Sequence, residues 1–487
     1  MTSDALRGRE RLEPTRADWS APELPAHRRP LPLLTREALT REETGETAER
    51  LTRLSQTWHG PGWSPEMAAL RERGAAIRRE TLADIEGHLK RLTERLEANG
   101  ARVHRAGTAE QAVEVVRRIA GGHGVGLAVK SKSMVSEEIH LNAALAADGI
   151  EVVETDLGEY IVQLADERPA HIIAPAVHKS RADVHGMFST LSAADAGEEL
   201  GQDPEDLTAF ARRRLRADFR NADLGISGVN FAAADTGTLV LLTNEGNGRM
   251  VTSQPRVHVA LMTLEKVIPR LADIGVLVPL LSHAAARQRV SVYQTMLSGP
   301  RRPGEADGPE ELHVVILDNG RSAIPGTPYE EVLACIRCGA CQIACPVYRT
   351  LGGGHPYASV YGGPIGAVLS PLIGDRERDA DLPFLSSLCG ACADVCPVKI
   401  PLPDMLVDLR ADYERRAARR GPARAPARAA ARAGWWLWSQ AWSRPPLYVA
   451  SLAVTRLMRR LVPGPLVARL PGLPRGWARG RALPPVQ

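Results

Sequence analysis

The chain has 487 residues, of which 44% are hydrophobic, 24% charged and 4% aromatic, with 7 Cys. This length exceeds one ordinary domain and excludes a small disulfide-stapled fold, while the aliphatic content supports packed α/β layers. The net charge of +4 hides a division: residues 411–487 hold 15 Arg against only Asp412 and Glu414, or +13, so the first 410 residues carry −9.

Residues 1–65 are polar and rich in Arg, Pro and Thr, and read as a partly disordered N-terminal arm. The start, "MTSDALRGRERLEPTR", lacks the apolar core of a signal peptide, which points to a cytoplasmic protein. At "WSPEMAAL" a helix is predicted to begin, with Ser64 as N-cap and Pro65 in the first turn. Leu70, Ile77, Leu82, Ile85, Leu89, Leu92 and Leu96 continue it at helical spacing, and Gly100 ends it. Strands and helices then alternate. "TAEQAVEVVRRIAGG", capped by Thr108, "SEEIHLNAALAADG" and "LEKVIPRLADIG" read as helices. "VGLAV", "IEVVET", "HIIAP", "GTLVLLT", "VHVALM" and "HVVILDNG" read as strands. The alternation predicts a mostly parallel sheet with helices on both faces, over residues 66–325.

Two loops in this region are candidate ligand sites. Lys130 and Lys132, in "AVKSKSM", end a predicted strand ahead of a helix, where a carboxylate or phosphate can bind; two solvated lysines are the simpler alternative. Asn244, Glu245 and Gly246, in "LLTNEGNGRM", form a turn whose glycines allow close approach of a ligand, although ordinary turn chemistry uses the same letters. Asp235, Thr236 and Gly237 read as a tight hairpin turn. No catalytic residue, Walker motif, flavin signature or three-glycine dinucleotide fingerprint is recognisable.

Residues 326–410 contain every cysteine. "CIRCGACQIACPVYR" has the C-x2-C-x2-C-x3-C-P spacing in which three thiolates take corners of one iron–sulfur cube and the fourth serves another. "SSLCGACADVCPVKI" repeats it with Ser386 in place of the first Cys. Crossed ligation gives Cys335, Cys338, Cys341 and Cys396 to a first [4Fe–4S] cluster. Cys345, Cys389 and Cys392 go to a second, which is [3Fe–4S] or a [4Fe–4S] with a fourth position open or filled by another residue. Ser386 is a candidate for that position, with an ordinary loop serine as the simpler reading. A zinc site would show two separated pairs. Residues 411–487 form an Arg/Trp-rich tail with Trp435, Trp436, Trp438 and Trp442 close together. Such a tail suits an acidic partner or peripheral contact with an anionic membrane; nucleic acid is disfavoured because no recognition motif accompanies it. No segment is long enough to span a bilayer.

Several stretches resemble the lactate utilization protein B family: "VKSKSMVSEEIHLNAAL", "VVETDLGEYIVQL", "HIIAPAVHKSR", "TLVLLTNEGN", "ILDNGRSAI", "GPIGAVLSP" and both cysteine runs. The resemblance covers about residues 66–410. It implies a LUD domain of the CoA-transferase and ribose-phosphate isomerase class, followed by an α-helical dicluster ferredoxin domain. It also implies an iron–sulfur subunit that works with a cysteine-rich protein and a second LUD protein to oxidise L-lactate to pyruvate without NAD. The seven-cysteine pattern is similar, too, to the helical ferredoxin part of succinate dehydrogenase iron–sulfur subunits, where three thiolates hold a [3Fe–4S] cluster. The alternative expectation is a CoA- or acyl-binding LUD enzyme with a redox-sensing iron–sulfur module.

Overall fold

Six parallel strands form the main sheet of the computed structural model, which describes residues 31–59, 62–195, 199–374, 378–419 and 425–461. In chain order the ten strands of the described residues are β1 (Arg102–Ala106), β2 (Leu127–Lys130), β3 (Glu151–Glu154), β4 (Leu224–Gly228), β5 (Phe231–Ala233), β6 (Thr238–Thr243), β7 (Val257–Thr263), β8 (Val267–Ile268), β9 (Tyr293–Leu297) and β10 (Glu311–Leu317). The main sheet runs β1-β10-β7-β4-β2-β3. Its central strand β7, "VHVALMT", is buried along its whole length, as expected of a parallel strand covered on both faces. Helices Ala109–Gly122 and Leu141–Ala147 cover one face through Val116, Ile119, Leu141 and Leu145. Helices Leu157–Leu164, Arg181–Asp195 and Pro204–Asn221 cover the other through Tyr160, Phe188 and Phe210. The parallel α/β expectation is met.

Caps sit where the sequence places them. Ser64 Oγ accepts the Met67 N–H at 3.3 Å, and Thr108 Oγ1 accepts the Gln111 N–H at 3.3 Å. The long helix after Ser64 is in fact two, Pro65–Ala83 and Ile85–Ala98, because Asp84 leaves the helical conformation and caps the second. "SEEIHLNAALAADG" is likewise split, at His140, which adopts a left-handed conformation.

Three readings are corrected. "HIIAP" is not a strand: His171 Nδ1 accepts the N–H groups of Ile173 and Ala174 in a local turn, and the cysteine region holds the rest of the segment. The Ile172 N–H donates to Gln342 Oε1, and Ala170 O just before it accepts from Gly354 N and Tyr348 OH. "LEKVIPRLADIG" is not a helix, because Pro269 interrupts it; it holds two 3-10 turns and the short strand β8. Residues 31–59 are not a disordered arm but the helices Leu31–Thr40 and Glu42–His59. Leu51 is fully buried and Leu54 packs against the same core, so this apolar stripe docks on helix Ala340–Ala344, which carries Cys341, and on helix Pro346–Thr350, which Cys345 precedes. Residues 1–30 lie outside the described residues.

Of a second, four-stranded sheet, β8-β5-β6-β9, the sequence reading anticipates the strand β6, "GTLVLLT", and the Asp235–Gly237 turn, which does join β5 to β6 as a hairpin, but neither the other three strands nor a separate sheet. This sheet, helix Ile274–Ala286 and the cysteine region share one hydrophobic core. The chain divides into two units, Met1–Ala411 and Asp412–Gln487. In the second, helices Ala425–Ser443 and Pro445–Leu461 pack on each other, and Trp435, Trp436, Trp438 and Trp442 remain exposed. Residues 462–487 lie outside the described residues.

Candidate metal centres and an adjoining cavity

The two cysteine runs fold alike. Arg337 and Gly339 flank Cys338 in left-handed conformations, and Leu388 and Gly390 flank Cys389 in the same way. Glycine adopts this conformation freely; Arg337 and Leu388 do so at a cost of about 1–2 kcal/mol each, which fits loops over-determined by what they wrap. Each loop then turns into a short helix carrying the next cysteine, Cys341 in one run and Cys392 in the other.

All seven cysteines are free, and the fold gathers them into two groups. Cys335, Cys338, Cys341 and Cys396 line one small cavity walled by Ile336, Ile365, Val398, Ile400 and Leu402. Burial pushes the thiols of Cys338 and Cys341 up, and the neighbouring thiols push them further. Burial raises Cys396 to about 11, against the opposing pull of the Ile400 and Val398 N–H groups. Cys345, Cys389 and Cys392 are electrostatic neighbours in the second group, where burial, then Cys345 and Cys389, push Cys392 up to about 12. Cys341 also feels Cys392, so the groups adjoin. They differ in access at one residue: Cys389 of the second group is exposed, next to the exposed Leu388, whereas Cys345 and Cys392 are buried like Cys338, Cys341 and Cys396, and Cys335 is partly buried.

These residues fit iron–sulfur clusters. Packed, desolvated thiols are poor acids on their own, and a metal cluster supplies the positive charge that makes them thiolates. Backbone donors already face the sulfurs: the Ile400 N–H reaches Cys396 Sγ at 3.3 Å and the Arg337 N–H reaches Cys335 Sγ at 3.4 Å. Ser386 Oγ accepts the Leu388 N–H at 3.1 Å within its own turn, the arrangement of a loop serine.

A buried charge network ties the first thiol group to the α/β domain. Arg321 is fully buried and grips Glu138 with Nη1 and Nη2 at 2.8 and 2.6 Å, while its Nε lies 3.2 Å from Glu265. Glu265 pairs in turn with Arg337, the residue between Cys335 and Cys338, at 2.9 Å. Burial opposes the charge on Glu265, but Arg321, Arg337 and Lys266 outweigh it and hold its pKa at about 2. Arg78 spends its guanidinium on the carbonyl oxygens of Ala334, Val267, Glu265 and Leu333.

The candidate ligand loops separate. Lys130 is a correction: it is buried and paired with Glu154 at 2.7 Å and Glu137 at 3.0 Å, so it is a structural ion pair between β2 and β3 and not an anion site. Burial works against its ammonium, but these carboxylates hold its pKa above the ordinary lysine range. Lys132, Asn244 and Glu245 do line a common cavity of about 240 Å3, with Lys266, Arg337, Ser282 and Tyr361 also in its wall. Two of the three are engaged: Glu245 Oε2 accepts the Leu157 N–H at 3.0 Å and Asn244 Oδ1 accepts the Val292 N–H at 3.2 Å. Gly246, in left-handed conformation, precedes helix Asn247–Ser253 and is not among the cavity residues. The sequence reading missed Glu265, Lys266 and Arg337. The available signals were two charges inside the apolar run "LMTLEKVI" and an arginine enclosed by "CIRC".

The α/β scaffold and the paired thiol groups define an iron–sulfur protein of dicluster type. Residues 89–317 match the LUD domain and residues 331–400 match the 4Fe-4S dicluster domain. Lactate utilization protein B of Bacillus licheniformis is 50% identical over 330 residues, 68% of each chain, and that of Shouchella clausii is 48% identical over the same share. The uncharacterized electron transport protein YkgF of Escherichia coli is 43% identical over 369 residues, 76% of this chain and 75% of its own. The chain belongs to the lactate utilization protein B family.

Proposed function

We propose that this chain is the electron-transfer subunit of a multi-subunit system that oxidises L-lactate to pyruvate. The names of its relatives, lactate utilization protein B and electron transport protein, support the role. The observation that carries it is the arrangement of the thiols: one group buried against the α/β domain, the other open to solvent at Cys389. In this reading Cys335, Cys338, Cys341 and Cys396 hold one [4Fe–4S] cluster, and Cys345, Cys389 and Cys392 hold a second, [4Fe–4S] or [3Fe–4S]. Such clusters, when bound, supply one-electron carriers with potentials set by burial and N–H···S bonds. The apolar wall of Ile336, Ile365 and Val398 excludes water from the first group, and Arg78, Arg337 and Lys266 offset the negative charge of its thiolates. The exposed Leu388, adjacent to Cys389, offers a redox partner an apolar contact.

The LUD domain runs over 66–325, the dicluster domain over 326–410 and the tail over 411–487, and the helices Leu31–Thr40 and Glu42–His59 ahead of them pack on the cysteine region. The companions are a cysteine-rich protein and a second LUD protein. The test is Cys345→Ser as the sole copy in cells growing on L-lactate. Lactate-dependent oxygen uptake should fall to the level of a deletion strain at unchanged protein abundance; undiminished uptake would remove the electron-transfer role.

No helix among the described residues is long and apolar enough to cross a membrane. The exposed tryptophans and the excess of arginine in the tail suit peripheral attachment to an anionic bilayer at the cytoplasmic face. Full-length protein should sediment with phosphatidylglycerol vesicles and stay in solution with phosphatidylcholine vesicles. Remaining in solution with both would rule the attachment out.

A further inference from the structure

The cavity of about 240 Å3 lies between the second sheet and the Cys335–Cys338 loop, and two of its wall residues, Lys266 and Arg337, also stand as counter-charges to the first thiol group. Its deep end is built for a ligand. Lys266 is 8% exposed, and its ammonium has neither a hydrogen bond nor an ion pair among the described residues. Arg337, also 8% exposed, gives Nη2 to Glu265 and leaves Nη1 buried without an acceptor. Ser282 on helix Ile274–Ala286 adds a buried Oγ without a partner. Buried donors are nearly always met, by protein, by water or by a bound group. The charges point to the sign of that group. Glu138 and Glu265 face Arg321, Arg337 and Lys266, two negative charges against three positive, and Arg78 adds another cation whose donors are spent on carbonyls. The side walls are apolar: Val229, Leu241, Leu281 and Ala285.

We propose that this cavity binds a small organic monocarboxylate, its carboxylate seated on Lys266, Arg337 and Ser282 and its carbon chain against Leu241, Leu281 and Ala285. The unpartnered ammonium of Lys266 and the free Nη1 of Arg337 call for an anionic group with two or more acceptor oxygens. The apolar walls call for a short carbon skeleton in place of a bare inorganic anion. Lys132, Asn244 and Glu245 at the rim offer polar contacts to the far end of the ligand. The site lies beside the first thiol group, because Arg337 belongs both to the cavity wall and to the Cys335–Cys338 loop. Binding requires neither a companion subunit nor electron flow, so the proposal goes beyond the electron-transfer reading and stands or falls separately from it.

Lys266 is also an electrostatic neighbour of Cys335, so a role as counter-charge for thiolates competes with a role as ligand anchor. Isothermal titration of the anaerobic full-length holoprotein separates them, with propionate, L-lactate and pyruvate in one arm and inorganic phosphate and coenzyme A in the other. A monocarboxylate should bind once per chain, and Lys266→Met should weaken it roughly tenfold or more. Ala286→Phe narrows the same cavity without removing a charge, at a position only half-buried, and should weaken binding while iron content stays at the wild-type level. Absence of carboxylate binding would overturn the proposal, as would binding of phosphate or coenzyme A alone. So would Lys266→Met moving only the reduction potential while binding in both variants matches wild type.

Discussion

Cys396→Ser removes one iron–sulfur cluster and spares the other. Cys396 stands in the second cysteine run, yet its sulfur lies in the cavity of Cys335, Cys338 and Cys341 from the first. Under crossed ligation its loss opens the buried site, whereas Cys389→Ser opens the exposed one. Iron and sulfide in anaerobically purified Cys396→Ser should fall to about half of wild type, the remaining signal belonging to the cluster of Cys345, Cys389 and Cys392. Uncrossed ligation predicts the reverse pattern, with Cys345→Ser and not Cys396→Ser emptying the site of Cys335. The structural cost should be considerable as well, since the empty site leaves packed thiols in a cavity walled by Ile336, Val398 and Ile400.

Glu265→Gln destabilises the fold by about 3–5 kcal/mol, the usual range for breaking a buried ion pair by removing one partner. Glu265 is 1% exposed and is the shared counter-charge of Arg321 and Arg337, both of which are nearly or fully buried. The substitution leaves Glu138 as the one carboxylate paired with Arg321 and none paired with Arg337. Urea unfolding of the holoprotein, followed by circular dichroism and by cluster absorbance, measures the loss; a change below about 1 kcal/mol would contradict the network's role. The pH dependence has a definite sign. The folded pKa of Glu265 is depressed to about 2, below the ordinary value of about 4.3. Its contribution is therefore complete above about pH 4.3 and is lost as the pH falls toward 2. Glu265→Gln should flatten this part of the acid-unfolding profile.

Much of this organisation is legible in the sequence because its signals are local. Cysteine spacing in the two runs identifies the thiol groups, since short loops around a metal cluster leave few alternatives. Ser64 and Thr108 mark helix starts through a side-chain oxygen and an N–H three residues on, and buried parallel strands such as "VHVALM" announce themselves by unbroken apolar runs. What escapes is set by long-range packing. Lys130 looks like a loop cation until β3 brings Glu154 into register beside it. "HIIAP" has the composition of a strand, but His171 takes two of its N–H groups in a turn, and Gln342, 170 residues away, takes that of Ile172. The helix Glu42–His59 reads as polar throughout, and only its docking on helices Ala340–Ala344 and Pro346–Thr350 reveals the function of Leu51. The cavity floor is assembled from Lys266, Ser282 and Arg337, three separate elements with no common motif.

The central claim is that seven thiols, shared between two short runs, hold two iron–sulfur clusters. Native mass spectrometry of the anaerobically isolated chain tests it most directly. The expected result is a mass excess equal to two clusters, falling to one in Cys396→Ser and to the other in Cys389→Ser. A wild-type chain carrying a single cluster or no iron, or a Cys396→Ser chain that retains both, would contradict it.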